Sequence, residues 1–245
     1  ALGAGLPVLS GVFEAAAFAV EYLPALATGL WLTVVLTVVS TLLGLPIAVL
    51  LSVTRVYGTA SKYLSLIYTE LFRGTPLLAQ LFVLYYGLDL SGAVPGPLQG
   101  VFANRAVWVA MLGFVLNSAA YQAEYIRSAL ISVDEGQLTA GRAIGLSKVR
   151  SIRYVVLPQG LRYAIPGWTN ELVYLIKYSS LAAFITVPEL FNRAQSIASE
   201  NFRYTAVFVL TALLYLGLVL SATRLMSAVE DRVAIPGLGS DAEGR

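Results

Sequence analysis

Apolar residues in this chain come in long blocks, and not in the alternation of surface and core positions that a soluble domain shows. An α-helix needs about 20 apolar residues to cross a hydrocarbon core of about 30 Å. The pattern therefore predicts an all-α membrane protein with about five transmembrane helices. The five blocks run over about Ala25–Val53, Tyr63–Leu88, Ala106–Ile126, Leu161–Val187 and Thr205–Ala222.

The composition also indicates that most of the chain lies in a lipid bilayer. Of its 245 residues, 58% are apolar and 12% are charged, with a mean hydropathy of +0.75. Soluble domains carry about 25% charged residues. The absence of cysteine excludes disulfides and thiolate sites, and the absence of histidine removes the commonest general base. A net charge of +2 is too small to indicate a nucleic-acid partner.

The segments outside the blocks suggest a domain division. Residues 1–24 hold Glu14 and Glu21 but no Lys or Arg, which favours an extracytoplasmic or interfacial lead-in. Asp89–Arg105 is rich in Gly and Pro and is predicted to be a loop. We expect a transmembrane domain over 25–228 and a cytoplasmic tail over 229–245.

Positive charges predict the orientation, because Lys and Arg concentrate in cytoplasmic loops. Five alternating spans put the loops after spans 1 and 3 and the C-terminal tail on one side. These regions hold most of the basic residues, whereas the opposite side receives the acidic N-terminus and loops of mixed charge. We therefore expect the N-terminus outside and the C-terminus in the cytoplasm. The basic residues are Arg55, Lys62, Arg127, Arg142, Lys148, Arg150, Arg153, Arg224, Arg232 and Arg245.

A few residues within the predicted spans stand out. Gly44 and Ala48 are spaced for close helix packing, although a lipid-facing position explains them equally well. Arg73 precedes Gly74-Thr75-Pro76, which predicts a helix break because proline has no backbone N–H. Glu171 and Lys177 are six residues apart, too far to pair on one helix. Charges at membrane depth face a bundle interior or a cavity, so Glu171, Lys177 and Arg73 line a solute path or pair with other spans.

The predicted cytoplasmic loop Asp134–Pro158 is far longer than a tight turn and apolar enough to pack. Ala140, Ala143 and Ile144 share one helical face. Gly141 and Gly145 leave room for another backbone to approach. Ser147 is a candidate start for a second short helix, and Pro158 is expected to mark the turn into the next span. Such an element either lies on anionic lipid or docks a soluble partner, and composition favours neither.

The loop resembles the EAA loop of permeases in binding-protein-dependent ABC importers. That loop reads Glu-Ala-Ala, three residues, Gly, nine residues, Ile, one residue, Leu-Pro. Three departures occur here: Thr for Glu, Gly for Ala and Val for Ile. The first of them removes the carboxylate of any salt bridge made at that position. The matching positions are Thr139, Ala140, Gly141, Gly145, Val155, Leu157 and Pro158.

The resemblance continues through spans 2 to 4, over most of Thr69–Leu190. Span 2 reads ELFRGTPLLAQLFVLYYGL, span 3 leads into NSAAYQAEYIRSAL, and span 4 contains NELVYLIKYSSL. These stretches are similar to the polar amino acid subfamily, which transports histidine, glutamine, arginine and related solutes. Tyr178 stands where that subfamily usually has Asp.

The resemblance implies a type I ABC importer-like bundle in the cell membrane. It also implies a second permease subunit, identical or homologous, two ATP-binding subunits and an extracytoplasmic solute-binding protein. No Gly-x-x-x-x-Gly-Lys-Ser/Thr loop is present, so ATP and Mg would bind the partner ATPase and this chain would carry no cofactor. A secondary transporter or a membrane-embedded enzyme is the alternative. The residues expected to contact the ATPase are Gln137, Thr139, Ala140, Gly141, Gly145, Leu157 and Pro158.

Overall fold

The computed structural model describes residues 5–87 and 104–233, and its side chains from Val20 onward together with Phe18. Most of the predicted loop Asp89–Arg105 and the end of the predicted tail lie outside the described residues. Throughout the described ranges the regular elements are helices. They are α1 (Gly5–Tyr57), α2 (Ser61–Gly74), α3 (Leu77–Gly87), α4 (Arg105–Ser132), α5 (Glu135–Ala143), α6 (Lys148–Ser151), a π turn (Ile152–Val156), α7 (Leu157–Tyr163), α8 (Ile165–Tyr178), a 3₁₀ segment (Ser179–Ile185), α9 (Leu190–Asn201) and α10 (Tyr204–Val233).

Three described helices are long and apolar enough to cross a membrane: Val20–Tyr57, Arg105–Ser132 and Tyr204–Val233. The other two predicted spans are assembled from shorter pieces. Span 2 consists of α2 and α3, and span 4 consists of α7, α8 and the 3₁₀ segment. Prediction from hydropathy therefore found the apolar blocks, but it did not find the breaks in the backbone of span 4.

Helix α1 passes through the expected boundary at residue 24 without a break. Pro24 and Pro46 both lie inside it, as membrane helices tolerate when neighbouring groups satisfy the backbone. The part from Val20 to Tyr57 would be about 57 Å long at ~1.5 Å per residue, well beyond one hydrocarbon core. The lead-in and the first span are thus one continuous helix from Gly5.

Two other helices extend past the predicted ends of their spans. Helix α4 continues to Ser132, so Arg127 lies within the helix and not in the loop after Ile126. Its Nε donates to Glu124 Oε1 at 2.7 Å, one helical turn earlier, and this pairing offsets the charge. Helix α10 continues to Val233, where Glu230 Oε1 accepts a hydrogen bond from Thr169 Oγ1 at 2.8 Å.

Helix α4 is the centre of the bundle, because 72% of its most apolar 18-residue stretch is buried inside the protein. Gly44 and Ala48 of α1 pack against it. A Cβ added to Gly44 would lie 3.2 Å from the backbone nitrogen of Ala119, and Ala48 is fully buried. Helix packing, and not lipid exposure, is therefore the role of this pair of small residues.

On the opposite side of the bundle, Glu189 joins three helices, although its sequence position suggests an open loop. It caps α9 by accepting hydrogen bonds from the backbone N–H groups of Phe191 and Asn192 at 3.0 and 2.8 Å. Tyr215 of α10 donates to it at 2.9 Å, and Thr33 of α1 lies 3.4 Å away. The carboxylate is fully buried, and these donors compensate the cost of its desolvation.

Candidate functional site

Helix α5 forms where the sequence predicts a helix, because capping residues lie at both of its ends. Asp134 caps its first turn by accepting from the backbone N–H of Gly136 at 2.6 Å. At the other end Gly145 takes φ +90°, and the Leu146 N–H reaches the Gly141 carbonyl at 3.2 Å. This closure resembles the common glycine-terminated helix end. A Cβ on Gly145 would meet open space, so backbone conformation is what requires glycine there.

Gly141 serves the packing of the loop itself. It is buried, and an added Cβ would lie 2.9 Å from Ser151 Oγ and 3.1 Å from Ser151 Cβ. The close approach expected at this glycine is made by the same chain. Sequence reasoning expected another backbone there, but the neighbour is a side chain of α6.

The other predicted contact residues of α5 lie on its open side. Gln137, Thr139 and Ala140 are exposed. Ala143 and Ile144 extend this face, and 79% of the Ile144 surface is exposed. We call Gln137, Thr139, Ala140, Ala143 and Ile144 the α5 surface. Ile144 together with Ala140 and Ala143 gives this surface an apolar side that the described part of the chain does not cover.

The second half of the loop differs from the prediction at one residue. Ser147 does start a short helix, its hydroxyl accepting from the Arg150 N–H at 3.4 Å. Pro158, however, does not turn the chain, because the path from Lys148 to Tyr163 stays helical. The Leu157 N–H bonds to the Ile152 carbonyl, five residues back, and this wider turn admits a residue without a backbone N–H. Pro158 is exposed and Leu157 is half-buried.

Glu171 lies in a cavity of about 300 Å³ within the bundle. Glu171 is buried, with 4% of its surface exposed. Four aromatic hydroxyl-bearing rings surround it, contributed by α4 and α8. We call this cavity the tyrosine pocket, and it is lined by Asn117, Tyr121, Tyr125, Glu171, Tyr174, Leu175 and Tyr178.

Arg73 lies beside the tyrosine pocket and pairs with a carboxylate. Its Nη1 lies 3.9 Å from Glu124 Oε2, and its guanidinium carbon lies 5.4 Å from the centroid of the Tyr121 ring. Arg127 also pairs with Glu124. Glu124 therefore balances two arginines. Arg73 does not line the tyrosine pocket itself, but it contacts Tyr121, which does.

Lys177 is on a different face of α8 and opens into another cavity. That cavity, of about 420 Å³, is lined by Lys177, Ser180, Phe191, Phe208, Thr211, Ala212 and Tyr215. The Lys177 ammonium lies 4.6 Å from the centroid of the Tyr174 ring, a cation–π distance. Glu171 and Lys177 accordingly do not pair, as their spacing predicted, and one protomer does not present both to the same cavity.

Sequence reasoning missed most of the pocket lining. Asn117, Tyr121 and Tyr125 recur at intervals of four along α4, and Tyr174 and Tyr178 repeat the interval on α8. Side chains four apart share one face of a helix. A polar stripe on an otherwise apolar membrane helix indicates a side that faces the interior or a cavity. These stripes are the sequence signal from which the pocket lining could have been predicted.

Comparison with known proteins places this architecture in one class. Residues 40–235 match the family of binding-protein-dependent transport system inner membrane components. The chain belongs to this family. Its fold resembles the crystal structure of an amino acid ABC transporter with histidines, at a TM-score of 0.74 and 30% identity, over 87% of this chain and 96% of that one. The inward-facing MetNI methionine ABC transporter shares the fold at a TM-score of 0.69 and 22% identity, over 88% and 99% of the chains.

Individual relatives agree with the class. The chain is 38% identical over 217 residues to the Bacillus subtilis protein named "Probable amino-acid ABC transporter permease protein YckA", covering 88% of this chain and 92% of that protein. It is 37% identical over 217 residues to the octopine transport system permease protein OccM of Rhizobium radiobacter, covering 87% and 88%. The predicted family, the all-α membrane fold and the permease function within an ABC importer are confirmed.

Proposed function

We propose that this chain forms the translocation path for a polar amino acid and couples it to ATP hydrolysis on a separate subunit. The names of the relatives and the similarity of spans 2 to 4 support the solute class. In the proposed assembly a second permease, identical or homologous, two ATP-binding subunits and an extracytoplasmic solute-binding protein complete the importer. ATP and Mg bind the ATPase subunits.

The proposed topology keeps five crossings of the inner membrane, with the N-terminus outside and the C-terminus in the cytoplasm. Each predicted apolar block is mostly helical where the structure describes it, with a break at Thr75–Pro76 in the second block. The basic residues Lys148, Arg150 and Arg153 then face the cytoplasm together with α5. Residues 25–228 constitute the permease domain in this proposal, and 134–158 is its coupling loop.

The α5 surface is the observation that carries the coupling proposal. A capped nine-residue helix packs Gly141 inward and leaves Ala140, Ala143 and the following Ile144 exposed. A soluble partner with a groove can bury such a ridge. Lys148 Nζ donates to the Tyr57 carbonyl at 3.1 Å, and this contact ties the loop to the end of α1. This contact gives motion of the loop one route to a membrane helix.

The tyrosine pocket is the proposed solute site. Its acidic residue, Glu171, suits the ammonium group that every amino acid carries, and aromatic faces stabilise the same charge. The cavity volume of about 300 Å³ is of the size of small-molecule sites. Arg73 borders the pocket and offers a positive group for the solute carboxylate. Alternation between inward-open and outward-open states would expose this pocket to each side in turn.

Copurification with the partner ATPase tests the coupling proposal. Ile144→Asp places a charge on the α5 surface and is expected to abolish recovery of the ATPase in mild detergent. Phe202→Asp is the matched control, because Phe202 is 82% exposed but lies after α9, on the proposed outer side. Equal recovery of the ATPase by both variants would refute docking at α5. Solute-stimulated ATP hydrolysis by the unmodified complex tests the importer function itself.

A further inference from the structure

The break between α2 and α3 leaves several carbonyls at the end of α2 without their helical donors, and the Phe72 carbonyl is one of them. Phe72 would normally bond to the N–H four residues later, but Pro76 has none. At membrane depth water does not replace it. Two side-chain amides do so instead: Gln80 Nε2 donates to the Phe72 oxygen at 2.8 Å, and Asn117 Nδ2 donates to it at 3.1 Å.

Asn117 belongs both to this break and to the tyrosine pocket. Its Nδ2 also donates to Gln80 Oε1 at 3.1 Å, so both amide hydrogens are engaged at the break. The residue is 5% exposed and lines the pocket. Within the described ranges its side-chain oxygen accepts no hydrogen bond from the protein. That oxygen is the group that Asn117 has left for a pocket occupant.

We propose that Asn117 and Gln80 form a relay through which a solute in the tyrosine pocket sets the geometry of the α2–α3 break. The relay rests on the proposed use of that pocket as the solute site. An amide is planar, so an N–H of the solute bonded to its oxygen fixes the direction of both N–H groups. Those groups then hold the Phe72 carbonyl and Gln80 in one arrangement. Chains of hydrogen bonds strengthen one another in this way.

A second contact connects the same two places. Arg73 is the residue after Phe72, and its guanidinium lies over the ring of Tyr121, which lines the pocket. A change at the break therefore moves a charged group at the pocket edge, and a solute at the edge acts on the break. In this scheme Asn117 contacts the solute, whereas Gln80 is a positioning residue, since it does not line the pocket.

The relay is testable by measuring a distance across the break. The chain has no cysteine, so Leu64→Cys and Val83→Cys, at positions 73% and 66% exposed on α2 and α3, accept spin labels without background. The complex of permease and ATPase subunits, without the solute-binding protein, is studied in lipid nanodiscs with and without saturating L-arginine. Bound radiolabelled L-arginine is measured in parallel. With Gln80 present, L-arginine is expected to shift or narrow the distance distribution. In Gln80→Met, bound L-arginine is expected to leave the distribution unchanged.

Controls separate the relay from general damage. Gln195→Met makes the same exchange at an exposed position of α9 and should respond as the parent does. Should Gln80→Met fail to assemble, the isosteric Asn117→Asp, which loses both donors and keeps an acceptor, is expected to show the same loss of response. An unchanged response to L-arginine in Gln80→Met, or in Asn117→Asp, overturns the relay. Undiminished L-arginine binding in Glu171→Gln instead overturns the pocket assignment, and the relay with it.

Discussion

The α5 surface and the tyrosine pocket are built in opposite ways. The α5 surface comes from nine consecutive residues whose caps, turn glycine and exposed apolar side chains are all local. The tyrosine pocket comes from α4 and α8, with Arg73 of α2 at its edge, and exists only once those helices have packed. A contiguous element can move as a unit and transmit force. An assembled pocket changes shape whenever its helices shift, as alternating access requires.

The largest expected effect comes from Gly145→Val, which should prevent the α5 surface from docking with the ATPase and leave the tyrosine pocket intact. A β-branched residue at φ +90° costs about 1–3 kcal/mol, and the chain can relieve it by redirecting α5. We expect solute uptake to fall by at least about tenfold, with normal membrane insertion. Uptake by cells and quantitative blotting measure the two.

Gly145→Asn is the matched variant, because asparagine adopts positive φ more readily than valine does. It should keep a substantial part of the uptake. If Gly145→Val transported normally, the conformation of this glycine would be irrelevant to coupling.

Glu171→Gln should produce the complementary loss. Removing the buried carboxylate leaves an ammonium group in the tyrosine pocket without its counter-charge. Charged hydrogen bonds contribute about 1.5–3 kcal/mol, so binding of solute should weaken roughly 10- to 150-fold. Basal ATP hydrolysis should not change, because the α5 surface is untouched. Glu200→Gln, at an exposed position of α9, is the control, and equal loss in both would remove the case for a specific pocket.

The difference between the two regions also explains what could be predicted from the sequence. The Thr75–Pro76 break and the helix start at Ser147 depend on neighbours within four residues, and the sequence predicts both. The turn at Gly145 is equally local, but the sequence analysis assigned this glycine to the close approach of another backbone, whereas its φ of +90° is what requires glycine. The separation of Glu171 and Lys177 into different cavities depends on how α8 is rotated against α4 and α10. Nothing in a single helix specifies that rotation. The four-residue repeats of tyrosine on α4 and α8 indicate which face of each helix is polar. They do not indicate which other helix packs against that face.

Helix ends differ from the predicted span ends for a related reason. The predicted end of span 3 at Ile126 assumed that Glu124 and Arg127 would leave the apolar environment. They pair with each other inside α4 instead, so the helix continues to Ser132. Hydropathy counts each charge separately and does not register their pairing. In the same way Pro158 suggests a turn, whereas the π turn before it removes the need for one.

A smaller effect is expected from Gly141→Ala, a variant that tests whether this glycine serves packing within the loop. The added methyl would press on Ser151 at 2.9–3.1 Å, and overpacking of this kind costs about 1–3 kcal/mol. Uptake should fall a few-fold, and proteolysis within 134–158 should accelerate. Ser151→Ala in the same chain removes the nearer atom and should restore part of both. If Gly141 instead contacts only the ATPase, Ser151→Ala would restore nothing.

The smallest expected effect belongs to Asp134→Ala, which removes the cap of α5 but none of its surface. Loss of an N-cap costs about 0.5–2 kcal/mol of helix stability. In the assembled importer the partner would hold α5 in place and hide much of that cost, so uptake should fall only about twofold. In the free chain the same change should raise hydrogen exchange over 135–143 clearly, and Asp134→Asn should not. A large loss of uptake with unchanged exchange would mean that Asp134 contacts the partner itself, and the boundary of the α5 surface would have to move toward the membrane.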